Sequence, residues 1–395
     1  MAIYDNFGVR TIINVSGAST RVGGALMPEE VVDSMREAAR ESVSMAELQA
    51  AASRYISNVT GAEAGYVTSG ASAGLTLATA SIIAGCDLSK IDKLPQTQGF
   101  KNEFIISREH RNGYDHAARL AGATLVEVGM NEIVANAGVR RTEPWEYEVA
   151  ITDSTVGIYY SQGPDSHPCL TDVVKVAQKF KLPVIVDAAG ELPPKANLRR
   201  FIEMGADLVA FSGGKALLGP QSTGILCGKK HLITSVALQN LDMDEFFDIW
   251  DPPNDLIPKD TLPGIPRHGI GRGFKVSKEN VVGLLTALRL FVEDNYESNY
   301  IDQTNYLKSI VSAISSKALE TRIFAPEEGS PILTIRVNEE VLQKSAFEIS
   351  RQLKNGNPGV FVQEVGLGEG IITIHPMNLN EDRTRILTKK LLSII

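Results

Sequence analysis

A lysine and an aspartate near the middle of the chain have the residue types and surroundings that covalent catalysis needs. Lys215 follows an apolar run and two glycines in Phe211-Ser-Gly-Gly-Lys215. Asp187 ends another apolar run, Leu182-Pro-Val-Ile-Val-Asp187. A lysine amine in apolar surroundings is more often uncharged, so it can attack an aldehyde and form an imine. The pair therefore predicts imine chemistry, with the carboxylate placed to keep a ring nitrogen protonated.

This arrangement meets the needs of pyridoxal 5′-phosphate (PLP), whose aldehyde bonds to a lysine and whose protonated ring accepts electrons from a carbanion. A phosphate site is predicted upstream, where Thr68–Gly74 lies between a predicted strand and a predicted helix. Backbone N–H groups and hydroxyls favour an anion at a helix N-terminus, although a tight turn without a ligand is the alternative. The candidate residues are Ser69, Gly70, Ala71 and Ser72.

Two other interpretations of the central pair fit the sequence less well. A nucleotide-binding P-loop is excluded, because it needs glycine at position 209 and Ser or Thr at 216, where the chain has Val209 and Ala216. An exposed turn lysine does not explain the apolar run before Lys215. Asp187 as a helix N-cap is disfavoured because Pro193-Pro194 follows closely.

Two further segments carry candidate side chains. His110 ends a predicted strand, where its ring is predicted to stack on the cofactor, with a structural histidine as the alternative. The glycine-rich segment 264–275 contains Arg267 and Arg272, whose guanidinium groups suit a substrate carboxylate or phosphate. The alternative there is a solvated basic loop. No histidine has the spacing of a metal ligand, so no metal site is predicted.

The predicted elements place these residues along one edge of a sheet. Apolar strands alternate with helices between residues 64 and 227, which indicates a mostly parallel α/β sheet sandwiched by helices. Ligands of such sheets lie at the carboxyl ends of the strands. Residues 8–24 are predicted to be irregular. We predict an N-terminal arm and helix (1–45), a large PLP-binding domain (46–290) and a small C-terminal α+β domain (291–395).

Composition narrows the class of protein. The 395 residues are 43% hydrophobic and 22% charged, and the formal charge of −8 argues against nucleic acid as a partner. No stretch reaches the ~20 apolar residues that cross a bilayer, so no membrane partner is expected. Three cysteines without Cys-x-x-Cys spacing argue against disulfides and zinc. The first residues lack the features of a targeting segment, so we expect a cytoplasmic enzyme.

The motifs together resemble fold-type-I PLP enzymes, in the branch that contains selenocysteine synthase (L-seryl-tRNA selenium transferase) and D-glucosaminate-6-phosphate ammonia-lyase. The resemblance spans nearly the whole chain and is carried by Ile12–Gly17, Gly61–Ala64, Val186–Gly190, Phe211–Lys215 with Gly219-Pro-Gln, and Gly271–Glu279. It implies that Lys215 holds the cofactor covalently, Asp187 contacts the pyridine nitrogen, His110 stacks on the ring, and Ser72 and Ser212 hold the phosphate.

The resemblance also implies a homodimer or larger ring with shared active sites, in which Arg272 is an interface arginine. Because family-like sequence begins within the first fifteen residues, we expect no additional tRNA-binding domain. The C-terminal arginine that binds the substrate carboxylate in many relatives is not evident in Ile371–Asn378. We therefore assign that task to Arg267 or Arg272.

The expected activity is α-proton abstraction and β-elimination with loss of ammonia, on a small amino acid or amino sugar acid. Lys215 would be the base. A racemase, an epimerase or an aldolase would use the same carbanion, and a second acid or base such as His110 or Tyr114 would favour the racemase. An aminotransferase, a tRNA-dependent selenium transferase and a non-catalytic scaffold are the remaining alternatives.

Overall fold

The computed structural model describes residues 3–130, 140–293 and 296–395. The chain divides into two compact units, one of Met27–Arg289 and one of Met1–Leu26 with Leu290–Ile395. The three-part domain division made from the sequence stays a prediction. Within the described ranges, no helix combines the length and the apolar character that a membrane span needs.

The strands β1 to β12 are, in chain order, Ile12–Val15, Ala64–Thr68, Glu103–Ser107, Thr124–Val128, Thr155–Ser161, Val184–Asp187, Leu208–Ser212, Gly224–Gly228, Leu319–Phe324, Ile332–Val337, Gly359–Val362 and Ile371–Ile374. The helices α1 to α14 are Glu29–Ala38, Met45–Thr60, Ala71–Ala84, Leu88–Lys93, His116–Leu120, Pro144–Val149, Leu170–Phe180, Asn197–Glu203, Lys230–Asn240, Lys278–Val292, Glu297–Ile314, Glu339–Leu342, Ala346–Asn355 and Glu381–Ile394.

The unit Met27–Arg289 contains a seven-stranded sheet in the order β2-β8-β7-β6-β5-β3-β4. The strands from β7 to β4 are parallel, whereas β8 is antiparallel to both β2 and β7. β2 and β8 are buried along their whole length, as expected for a sheet covered on both faces. The predicted alternation of strands and helices between residues 64 and 227 and the mostly parallel α/β fold are confirmed.

The β2 edge of this sheet is closed by side chains of α2. The side-chain amide of Gln49 donates to Val67 O at 2.9 Å and accepts Val67 N–H at 3.1 Å. Ser53 Oγ accepts the N–H of Gly65 at 3.1 Å. An edge strand otherwise exposes unpaired backbone groups, so these buried polar side chains take the place of a further strand.

The second unit contains two smaller sheets. β1 pairs in parallel with β11, and β12, β10 and β9 form an antiparallel sheet. The prediction of irregular structure over residues 8–24 is wrong at Ile12–Val15, because a partner far along the chain supplies the hydrogen bonds. The sequence also gave no prediction of β9, whose residues alternate between half-buried and exposed.

We expect Gly65→Ala to destabilise the protein. A Cβ on Gly65 would lie 2.6 Å from Cβ of Ile56, a fully buried α2 residue. Overpacking of this kind costs about 1–3 kcal/mol, so the thermal unfolding midpoint should fall. Gly113→Ala is the control, since nothing lies within 4 Å of that position. Equal midpoints for the two variants would contradict this description of the α2 contact.

Candidate active site

Asp187 and Lys215 lie at the carboxyl ends of two adjacent parallel strands. Asp187 ends β6 and is aligned with Ala210 of β7, and Lys215 follows β7 by one turn. A Cβ placed on Gly190 would lie 3.8 Å from Lys215 Nζ. The turn that follows Asp187 therefore passes directly beside the lysine amine.

The Asp187 carboxyl is half-buried, and its electrostatic surroundings favour a cationic partner. Burial raises its pKa, while the N–H of Ala189, which donates to Oδ1 at 3.1 Å, and the charge of Lys215 oppose that rise. Desolvation outweighs both favourable interactions. A protonated ring nitrogen placed against this carboxyl would favour its ionised form.

The predicted phosphate loop forms the N-terminus of α3, a buried helix of 14 residues. Its N-cap, Gly70, has φ 111° and provides no side-chain hydrogen bond to the first turn. Ser72 lies exposed in that turn, whereas Ser69 Oγ donates to Phe274 O at 2.9 Å. The backbone N–H groups of an uncapped N-terminus favour an anion.

Gly224 permits the phosphate loop to approach β7. It is aligned with Thr68 of β2 on one side and with Ser212 of β7 on the other. A Cβ on Gly224 would lie 2.6 Å from the backbone nitrogen of Ala71, at the N-terminus of α3. The absence of that carbon leaves room for the loop, and it brings the loop and Ser212 to the same place on the sheet.

The turn from Ser212 to Lys215 is fixed by backbone contacts. Gly213 N–H donates to Thr223 O at 2.8 Å, and a Cβ on Gly214 would lie 2.6 Å from Cα of Gln221. Lys215 itself is exposed. The expectation of apolar surroundings for its amine is therefore wrong for this chain, because the residue lies in a turn beyond the strand end, where substrate can reach it.

His110 follows β3 in a short 3-10 helix and is 4% exposed. Its ring meets that of Tyr160 edge-on, with centroids 4.4 Å apart and an interplanar angle of 75°. The backbone of His167 is the polar group that interacts with this ring. Burial lowers the pKa of His110 to about 4, so its imidazole is neutral at pH 7 and is suited to stacking rather than to carrying charge.

A cleft of about 390 Å³ opens beside His110 at the carboxyl ends of β3 and β5. Ser161 and Gln162 line it, and Gln162 N–H donates to Asp187 O at 2.9 Å. Sequence reasoning missed two residues of the site, Tyr160, whose ring contacts His110, and Glu191, whose carboxyl interacts electrostatically with Asp187 and Lys215. Glu191 is half-buried four residues after Asp187, and that short spacing is the one signal in the sequence that could have identified it.

Arg267 and Arg272 are not brought to Lys215 by any contact within the described part of the chain. Arg272 Nη2 donates to Asp242 Oδ2 at 2.6 Å, and Arg267 lies 4.0 Å from Asp92 and is mostly exposed. Both roles in substrate binding stay predictions. Asp242, Asp244 and His268 form an exposed group beside Arg272, but the guanidinium already neutralises Asp242.

The residues present fit PLP. The uncapped N-terminus of α3 suits its phosphate, and the Cβ-free position at Gly224 keeps that N-terminus open. The desolvated Asp187 carboxyl suits a protonated nitrogen, and the amine of Lys215 lies near that carboxyl, as their electrostatic interaction shows. Each part comes from a different loop at one sheet edge.

Comparison with known proteins gives matches along the whole chain. Residues 115–244 match the family model described as "SelA: L-seryl-tRNA selenium transferase". D-glucosaminate-6-phosphate ammonia lyase of Salmonella typhimurium is 30% identical over 99% of this chain and 97% of its own. A 5′-C-glycyluridine monooxygenase-decarboxylase of a Streptomyces species is 28% identical over 98% and 90%. The solved structure titled "Structure of D-Glucosaminate-6-phosphate Ammonia-lyase" superposes with a TM-score of 0.81 at 28% identity, covering 100% of this chain and 98% of that one.

We expect Gly224→Ala to weaken PLP binding. The added methyl group would displace Ala71 N, and a clash with backbone cannot be relieved by rotating a side chain. Overpacking of about 1–3 kcal/mol corresponds to a loss of roughly 5- to 160-fold in affinity, measured by titrating the cofactor-free protein with PLP. Gly264→Ala, where nothing lies within 4 Å, is the control and should bind normally. Unchanged affinity in folded Gly224→Ala protein would refute this placement of the phosphate.

Proposed function

The chain belongs to the family of PLP-dependent enzymes that contains D-glucosaminate-6-phosphate ammonia lyase and L-seryl-tRNA selenium transferase, and we propose that it is an ammonia lyase acting on an amino sugar acid or a small amino acid. The observation that carries the proposal is the 30% identity to an ammonia lyase along 99% of this chain. The selenium-transferase model, by comparison, matches only residues 115–244.

The site residues divide the task of holding the cofactor. The N–H groups at the start of α3, with Ser69, Ser72 and Ser212 nearby, would bind the phosphate. Asp187 would hold the proton on the pyridine nitrogen, and the neutral ring of His110 would stack on the cofactor. When bound, PLP supplies a ring that stabilises negative charge on the substrate Cα. The desolvated position of Asp187 makes its contact with a cation stronger than it would be in water.

Lys215 would first hold the cofactor and then act as base. Its exposed position gives the substrate amine access, and the released Nζ would remain next to the reacting carbon because the turn from Ser212 is fixed at Gly213 and Gly214. The amine then takes the proton from Cα. Loss of a substituent from Cβ, followed by tautomerisation and hydrolysis, gives a keto acid and ammonia.

Oxidative decarboxylation is the second candidate activity, because the name of another relative describes that reaction. The Streptomyces protein, 28% identical over 98% of this chain, is named a monooxygenase-decarboxylase. Oxidative decarboxylation would consume oxygen and release carbon dioxide, whereas the proposed elimination consumes no oxygen and releases no carbon dioxide. Ammonia release that is unchanged under anaerobic conditions would favour the lyase.

The proposed function is tested by incubating the PLP-loaded protein with D-glucosaminate 6-phosphate, D-glucosaminate, and the D- and L-forms of serine and threonine. We expect equimolar ammonia and keto acid from at least one of them. Lys215→Ala should reduce that rate by roughly 10²–10⁴-fold or more, because the base is lost. Racemisation without ammonia, or decarboxylation, would contradict the lyase assignment.

We further propose that the protein is a homodimer or larger oligomer in which Arg272 of one subunit completes the site of another. Arg272→Ala should then lower kcat/KM roughly 10- to 100-fold, the effect of losing a charge-assisted contact. Mixing it with inactive Lys215→Ala should restore activity, because a mixed dimer contains one intact site. Arg54→Ala removes a surface arginine that pairs with Asp255 at 2.6 Å, and it serves as the control. No recovery despite subunit exchange would mean that Arg272 does not act across subunits.

A further inference from the structure

The proposed elimination leaves one chemical requirement without a residue. When the substituent on Cβ is a hydroxyl, the carbon–oxygen bond breaks readily only if the oxygen receives a proton, since hydroxide is a poor leaving group. Lys215 takes a proton from Cα in the same sequence. A second group that enters the reaction protonated, beside the lysine, would supply the proton for the leaving oxygen while Lys215 keeps the one that it takes from Cα.

Glu191 occupies a suitable position. The turn Asp187–Glu191 joins the carboxyl end of β6 to the segment before α8, and Glu191 N–H donates to Ala188 O at 3.1 Å. Asn197 Nδ2 donates to Glu191 O at 2.6 Å, which fixes the residue from the opposite side. The preceding residue, Gly190, is exposed and has no side chain. It lies close to Lys215, because a Cβ added to Gly190 would be 3.8 Å from Lys215 Nζ.

Charged and titratable groups from four elements interact electrostatically with this carboxyl. Asp187 ends β6, Lys215 follows β7, Tyr160 lies on β5, and Arg200 lies on α8. Burial raises the pKa of Glu191, and the negative charge of Asp187 raises it further, while Lys215 and Arg200 oppose the change. The carboxyl therefore keeps its proton to a higher pH than an ordinary glutamate does.

On the basis of the proposed lyase function, we infer that Glu191 is a further catalytic residue, the general acid that protonates the departing β-hydroxyl. The Cα–H proton goes to the amine of Lys215, the Cα–Cβ double bond forms, and the Cβ–O bond breaks. The oxygen takes the proton of Glu191 and leaves as water. Glu191 then recovers a proton from solvent, and Lys215 loses to solvent the proton that it took from Cα, so both groups return to their starting forms. One water leaves and one is consumed in hydrolysis, so the net products are keto acid and ammonia.

The leaving group provides the sharpest test. Glu191→Gln should lower kcat for the hydroxylated substrate roughly 10²–10⁴-fold. With β-chloroalanine the rate should change by less than about threefold, because chloride leaves without a proton. Glu203→Gln, at the exposed end of α8, is the matched control and should leave both rates unchanged. A loss that is equal for both substrates, or no loss, would overturn the inference.

The pH profile gives an independent signature. In the wild type, the rate with the hydroxylated substrate should fall on the alkaline side as Glu191 loses its proton. The midpoint of that fall should lie at a pH above about 4.3, the ordinary pKa of a glutamate, because the pKa of Glu191 is raised. Glu191→Gln should lack this fall. Persistence of the same fall in the variant would assign it to another group and count against Glu191.

A measurement on the cofactor-free protein tests the placement without activity. Acetic anhydride modifies only uncharged amines, and mass spectrometry follows Lys215 acetylation as a function of pH. Glu191→Gln removes a negative charge and should lower the pH at which half of Lys215 is acetylated, whereas Glu203→Gln should leave that pH unchanged. If that pH is unchanged in Glu191→Gln, the inference is overturned even when wild-type protein releases ammonia. Failure of the proposed function has a different signature, the absence of ammonia release by the wild type from every hydroxylated substrate.

Discussion

The parallel pairing of β5, β6 and β7 is the constraint on which the candidate site depends. Ser161 is aligned with Asp187, and Asp187 with Ala210, so the three strands reach the same sheet edge in register. A shift of one residue would turn Asp187 to the other face of the sheet. The hydrogen bond from Gln162 N–H to Asp187 O extends this alignment past the strand ends. The loops that carry chemistry therefore begin from fixed positions.

A large part of this arrangement was predictable from the sequence, because it depends on local residue patterns. Continuous apolar runs predicted the strands, and the order of the phosphate loop, His110, Asp187 and Lys215 predicted which loops would meet. Contacts between distant segments were not predictable in this way. β1 exists because Ile12 pairs with Gly359, and no local signal in residues 8–24 indicates that partner.

Solvation is the other property that residue patterns convey poorly. The apolar run before Lys215 suggested a buried amine, yet the chain turns at Gly213 and Gly214 and leaves the side chain exposed. Glu191 shows the reverse case, since a glutamate between glycine and proline-rich sequence gives no sign of burial. Burial and the negative charge of Asp187 raise its pKa, and both arise only in the folded chain. Protonation states in such a site thus depend on tertiary structure.

The closure of β2 by α2 has a consequence for how copies of this chain assemble. Gln49 occupies both hydrogen-bonding groups of Val67, and Ser53 occupies the N–H of Gly65. A strand from another molecule would meet backbone groups that already have partners, which disfavours edge-to-edge polymerisation at this margin. Contacts between subunits at this side must instead use side chains. Self-association can then be selective, and the helix that shields β2 also limits aggregation at that edge.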